Sequence, residues 1–121
     1  MGILVFADPP AKYQAWLARE ARPAAAPTDA AARRGHDLFV NGTCSTCHAI
    51  RGTSAQADVG PDLTHVAART TLGALTVPNT REDLRSWIEK SQRFKPGNQM
   101  PNTHLPGADL DALTAYLDGL R

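Results

Sequence analysis

Cys44-Ser45-Thr46-Cys47-His48 sets two thiols three positions apart with an imidazole directly after the second, and these are the only two cysteines of the sequence. On one turn of chain, thiols at that spacing can each add to a vinyl group of a haem, while the adjacent imidazole swings beneath the ring to bind its iron. Five residues thus encode both the covalent attachment of one haem c, through Cys44 and Cys47, and its proximal ligand, His48. The same letters would also serve a redox Cys-x-x-Cys pair or half of a zinc site. The first of these wants a βαβ context and the second a further ligand pair, and the surrounding sequence offers neither.

The second iron ligand must come from Met1, Met100, His36, His65 or His104. Met100 lies in Lys95-Pro96-Gly97-Asn98-Gln99-Met100-Pro101, a proline-bracketed loop able to hold a thioether across from the imidazole. A lone methionine is ordinarily core filler. A polar Pro/Gly loop has no core to fill, so Met100 is the expected ligand, with His104 as its competitor four residues on and His65 as the outsider. His36 falls off the apolar stripe of its helix and reads as a solvated surface residue.

A proximal imidazole also needs an acceptor for its other ring nitrogen, which fixes tautomer and orientation. The carbonyl of Pro61 in Gly60-Pro61-Asp62-Leu63 is the candidate; the alternative is an ordinary turn. Arg69 and Trp87 could serve haem propionates through a guanidinium and an indole N–H, because buried carboxylates need donors or counter-charges. Either could instead be surface charge or packing. No residue reads as catalytic.

The elements that must position these groups are helical. Thr28 or Asp29 can cap a helix running to about Asn41, with Ala31, Gly35, Leu38 and Phe39 on one face. Gly35 is costly inside a helix unless another helix crosses at close range. The last helix, about Ala108 to Leu120, repeats apolar residues at Leu110, Leu113, Tyr116, Leu117 and Leu120 and can make that crossing. Thr80-x-x-Asp83 has the spacing of a capping box and opens a helix whose apolar face is Leu84, Trp87 and Ile88. Upstream, Ile3-Leu4-Val5-Phe6-Ala7 reads as a buried strand stopped by Asp8-Pro9-Pro10, with no partner strand in the remaining sequence. Tyr13, Trp16 and Leu17 share one face of a helix over about Ala11 to Arg22. Ala21-Arg22-Pro23-Ala24-Ala25-Ala26-Pro27 reads as a tether of roughly 20 Å at polyproline pitch.

With 42% hydrophobic and 6% aromatic residues, 121 residues bury only a modest core, much of which a haem would supply. A net charge of +1, with its basic residues scattered, gives no reason to expect nucleic acid. The sequence has no 18-residue apolar span and no signal-like N-terminus. Covalent haem attachment implies assembly outside the cytoplasm, so the export signal is expected outside this stretch.

Cys44-x-x-Cys47-His48, Gly60-Pro61-x-Leu63 and Met100-Pro101 together resemble a class I cytochrome c, from about Asp29 to Arg121. Within that class, four stretches resemble the cytochrome c domain fused to the C-terminus of subunit II in caa-type cytochrome c oxidases. They are Ala49-Ile50-Arg51-Gly52-Thr53, Gly60-Pro61-Asp62-Leu63-Thr64-His65, Pro78-Asn79-Thr80 and Pro96-Gly97-Asn98-x-Met100-Pro101. Val5 to Leu17, with Pro9-Pro10-x-x-Tyr13-x-x-Trp16-Leu17, resembles the end of that subunit's copper-binding cupredoxin domain. The resemblance implies an all-α class I cytochrome c fold around a covalently bound haem c, preceded by a short strand and helix left from the cupredoxin domain. The divisions are 1–20 for that remnant, 21–28 for an Ala/Pro-rich linker and 29–121 for the cytochrome c domain. The family's dinuclear copper ligands lie upstream of that strand, so no copper is expected here.

The function so implied is electron transfer, not catalysis by the chain itself. Single electrons would come from an upstream donor, a cytochrome c or a quinol-oxidising complex. They would pass to the dinuclear copper centre in the copper-binding domain of the same subunit, where the parent oxidase uses them to reduce oxygen. The setting would be periplasmic, or the outer face of the bacterial inner membrane, with membrane contact only through the parent complex. Two other readings carry weight: a free-standing or differently tethered soluble cytochrome c, and a five-coordinate haem acting as sensor or peroxidase.

Overall fold

The computed structural model describes residues 2–121, and Met1, one of the possible ligands above, lies outside them. Four α-helices occur among the described residues: α1 (Pro10–Glu20), α2 (Ala30–Asn41), α3 (Arg81–Phe94) and α4 (Gly107–Asp118). Helix α2 starts where the Asp29 carboxylate accepts the Ala32 N–H at 2.8 Å, removing one of the unpaired donors of the first turn. It buries Ala32, Gly35 and Phe39. At Gly35 it crosses α4 so closely that a Cβ would stand 2.7 Å from Cβ of Tyr116 and would meet the Ala112 carbonyl. The crossing expected from the sequence is therefore present, and the missing side chain is what allows it.

Helix α4 buries six residues: Leu110, Ala112, Leu113, Thr114, Tyr116 and Leu117. Leu110, Leu113, Tyr116 and Leu117 meet Phe39, Ile50, Leu84 and Ile88 in one core, each large apolar side chain contributing about 1.5–3 kcal/mol by leaving water. Helix α3 opens at Thr80, whose hydroxyl accepts the Asp83 N–H at 3.1 Å and donates to the Asp83 carboxylate at 2.7 Å. The short acid thus grips the capping hydroxyl. Near its end α3 is broken at Lys90, where φ −141° and ψ 53° leave the helical region.

Two features depart from the sequence expectation. Ile3–Ala7 has no regular secondary structure, and Ile3, Val5 and Phe6 are 83%, 87% and 71% exposed. The fold is therefore helical without the expected N-terminal strand: among the described residues no strand pairs with the segment, and the nearest backbone bond is made just before it, from Gly2 N–H to the Ala74 carbonyl at 3.3 Å. Conversely, a hairpin appears where helices alone were expected. Strands β1 (Thr71–Leu72) and β2 (Val77–Pro78) pair antiparallel with Leu72 opposite Val77. Strands of two residues are too short to write the alternation that betrays a strand.

The aromatic face of α1 is half-exposed, with Tyr13, Trp16 and Leu17 at 47%, 42% and 43%, and no residue of α1 is buried. His36 is not simply solvated: its ring stands edge-on to Tyr116, centroids 5.4 Å apart at 87°. No helix among the described residues is long and apolar enough to cross a membrane.

Candidate haem site

The chain leaves α2 at Gly42 and turns at once into a 3₁₀ turn over Thr43–Thr46. Its tightness places both Cys47 N–H and His48 N–H on the Cys44 carbonyl, at 3.2 and 3.0 Å, so the two thiols and the imidazole lie on one compact loop. Burial pushes the Cys44 thiol above its ordinary pKa, and the neighbouring Cys47 adds to the rise against a lowering backbone contact.

Proximal geometry follows from the next loop. Gly60 N–H donates to the Cys47 carbonyl at 2.6 Å, drawing the Gly60–Leu63 segment against the cysteine loop. His48 Nδ1 then lies 2.8 Å from the Pro61 carbonyl, which accepts its N–H. With that tautomer fixed, Nε2 is the nitrogen left for a metal. A Cβ on Gly60 would stand 2.6 Å from His48 Cε1, so the ring has room because residue 60 has no side chain.

The Pro61 loop is itself braced. Asp62 Oδ1 accepts from the Thr64 N–H at 2.7 Å and the Thr64 hydroxyl at 2.5 Å. Burial works to raise the Asp62 pKa, but those two hydrogen bonds and the Arg51 and Arg69 charges carry it below its ordinary value. Arg69 donates to the Asp62 carbonyl at 2.5 Å.

On the other side, the Lys95–Pro101 loop is held by side chains of the kinked α3. Met100 offers its carbonyl to the Ser91 hydroxyl at 2.7 Å, and its N–H donates to Asn98 Oδ1 at 2.8 Å. Trp87 stacks obliquely on Phe94, centroids 6.3 Å apart, and presses against Gly73, where a Cβ would come 2.5 Å from Cη2.

Cys44, Cys47, His48, Pro61, Arg69, Trp87 and Met100, all singled out in the sequence, line one cavity of about 1720 Å³. Ordinary small-ligand pockets run to roughly 300–1,000 Å³. The excess has a structural source: Leu4, Val5, Phe6, Tyr13 and Trp16 also line the space, so the N-terminal segment and α1 form part of its wall. Among the described histidines outside the Cys-x-x-Cys-His motif, His65 alone lines the cavity. It is 7% exposed, Nε2 donates to the Arg22 carbonyl at 3.1 Å, and Nδ1 is buried without a partner. His104 lies on the exposed side of its loop.

Sequence reasoning missed how the tether is held. Arg51 donates through its guanidinium to the Glu20 carbonyl at the end of α1, and its own carbonyl accepts the Ala24 N–H at 2.9 Å. With the His65 bond to Arg22, these contacts fasten residues 20–24 to the loop after the cysteines. Alanine and proline composition carries no signal of such bonds, since backbone groups make them.

The donor set fits a haem c. Two thiols share one loop, an imidazole is fixed with Nε2 available, Met100 brings a thioether to the lining of the same cavity, and Phe39, Leu72, Ile88, Leu113 and Leu117 provide apolar walls. A fold in which short helices and a cysteine loop enclose such a space is that of a cytochrome c domain. The chain matches the cytochrome c family over residues 32–121, and it belongs to that family. Its Cys44-x-x-Cys47 spacing is consistent with covalent haem attachment.

Three relatives narrow the comparison, and all are cytochrome c oxidase subunit 2 proteins. That of Alkalihalophilus pseudofirmus is 33% identical over 111 residues, covering 91% of this chain and 32% of the relative. That of Bacillus sp. strain PS3 is 32% identical over 117 residues, again 91% and 32%. The protein of Bacillus subtilis strain 168 is 30% identical over 95 residues, 74% of this chain and 26% of the relative. The chain thus spans about a third or less of the length of these relatives, and the resemblance to the cytochrome c domain of caa-type oxidase subunit II is borne out.

Proposed function

We propose that the chain is a haem c electron-transfer domain working with a cytochrome c oxidase. In this reading Cys44 and Cys47 would hold the haem covalently, His48 and Met100 would ligate its iron, and Arg69 and Trp87 would serve the propionates. The observation that carries it is that His48 and Met100 line one cavity, each on a loop braced by its neighbours. A haem held there supplies a one-electron ferric/ferrous couple.

The residues then account for transfer without substrate chemistry. His48, its Nδ1–H committed to Pro61, presents one fixed nitrogen. Met100, a thioether, favours the reduced metal and raises the potential relative to a second histidine. With both positions filled, no site is left for oxygen or peroxide to be activated. Residues 29–121 form the cytochrome c domain, 21–28 the linker, and 1–20 a segment that ends a preceding copper-binding domain. Electrons pass from an upstream donor to the dinuclear copper centre of that domain, outside the cytoplasm. Fastening of the tether by Arg51 and His65 supports a defined placement of α1 beside the haem edge over loose tethering.

An absorption spectrum of the haem-loaded protein, oxidised and reduced, tests the ligand set. Sharp low-spin reduced bands with a weak long-wavelength methionine-to-ferric-iron band are expected. A high-spin spectrum would replace this reading with a five-coordinate sensor or peroxidase. For the partner, the rate of electron transfer to a separately prepared copper-binding domain should fall when residues 1–22 are removed; an unchanged rate would favour a free-standing carrier.

A further inference from the structure

The break in α3 and the loop carrying Met100 fit each other bond for bond. At Lys90 the helix ladder is interrupted, and the Ile88 and Glu89 carbonyls accept instead from the Thr103 hydroxyl at 3.0 Å and the Thr103 N–H at 3.1 Å. One side of the loop is thereby sewn to the helix. Directly after the break, Gln92 turns its amide into the middle of the loop. Nε2 donates to the Asn98 carbonyl at 2.7 Å and to the Met100 carbonyl at 2.8 Å, while Oε1 accepts the Gly97 N–H at 3.1 Å. Its backbone N–H donates to Asn102 Oδ1 at 3.2 Å.

A primary amide has two N–H donors and one carbonyl acceptor, and here each is spent on one loop, at Asn98, Met100 and Gly97. Glutamate cannot donate when ionised, lysine cannot accept, methionine can do neither, and asparagine is a methylene short. Gly97 has φ +79°, a left-handed conformation that swings its N–H toward Gln92 and suits glycine. The consequence at Met100 is specific. Its N–H is held by Asn98 and its carbonyl by Ser91 and Gln92 together, so its Cα is fixed and only side-chain torsions remain free.

We propose that Gln92 is the positioning residue for the Met100 thioether: its amide clasps residues 97–100 so that the sulfur resists displacement from the iron. The inference rests on the reading of Met100 as axial ligand, and it adds a residue that bears on ligand exchange without touching the haem. Loosening the clasp leaves the sulfur chemically unchanged but lowers the cost of swinging the loop away, which is the step an incoming ligand requires.

The test uses the haem-loaded protein and imidazole as the probe, whose nitrogen replaces the sulfur on ferric iron with loss of the long-wavelength methionine band. Gln92→Glu is nearly isosteric and removes both donors; Gln92→Met removes every polar contact. Both are expected to bind imidazole about tenfold more tightly than the parent, since one or two hydrogen bonds to the closed loop no longer oppose exchange. Ser91→Ala should move the same way by less. A merely structural role would lower the unfolding midpoint and leave imidazole affinity unchanged, and that outcome overturns the proposal. Should neither Gln92 variant accumulate, hydrogen exchange in the parent decides: the exposed Gly97 amide should be protected, and exchange at the free-peptide rate overturns the clasp. Absence of the methionine band in the parent would instead overturn the ligand assignment on which the clasp depends.

Discussion

Gly60 stands so close to His48 that a Cβ at residue 60 would lie 2.6 Å from Cε1 and 2.7 Å from Nδ1 of the imidazole. These are atoms of the imidazole ring itself, and that ring is already tied to the Pro61 carbonyl. Gly60→Ala is therefore expected to tilt the imidazole and cost about 1–3 kcal/mol by overpacking. The measurement is haem incorporation together with the low-spin spectrum; a variant that loads and absorbs like the parent would contradict the packing argument.

The α2–α4 crossing gives a second prediction. Gly35→Ala gains about 1 kcal/mol of helix propensity. Against this, the new methyl would meet the Ala112 carbonyl and Cβ of Tyr116 at 2.7 Å, forcing the helices apart. Overpacking should win, with a net loss of about 1–2 kcal/mol in chemical denaturation. A stabilised variant would mean that the helices separate at little cost.

Arg51 fastens the tether through the Glu20 carbonyl and its own carbonyl, and only the first of these depends on the side chain. Arg51→Ala should leave global stability nearly unchanged, because the lost bond is exposed. It should raise cleavage of Ala24-Ala25-Ala26 by elastase about fivefold, the effect of one hydrogen bond on local opening. Equal cleavage would show that the side chain does not restrain the tether.

Asp62 sets an acid limit. Its folded pKa lies below the ordinary 3.8, so its contribution to stability is complete above that value and is lost as pH falls through the lower, folded one. The proximal loop should loosen first in that acid range, as the Thr64 N–H and hydroxyl lose their ionised acceptor. Asp62→Asn should be less stable at neutral pH and show a flatter dependence below pH 3.8. Parallel acid profiles for parent and variant would assign the limit to another carboxylate.

The sequence alone determined the parts whose chemistry is local. Cys44, Cys47 and His48 read as a unit because attachment and ligation need only one turn of chain. The cap at Thr80, and one at Thr28 or Asp29 that the structure assigns to Asp29, were legible because a capping side chain bonds a backbone group three residues on, and Gly35 read as a crossing because a glycine inside a helix needs a reason. Tertiary structure decided the rest. Ile3–Ala7 has a strand's composition, but a strand exists only where another edge accepts its hydrogen bonds, and among the described residues none pairs with it. The hairpin of β1 and β2 is the converse, two residues a side held by pairing that no periodicity announces. Gln92, Arg51 and His65 act through distant backbone carbonyls and amides. Every residue carries such groups, so no choice of side chain in the loop or the tether could reveal which partner would reach them.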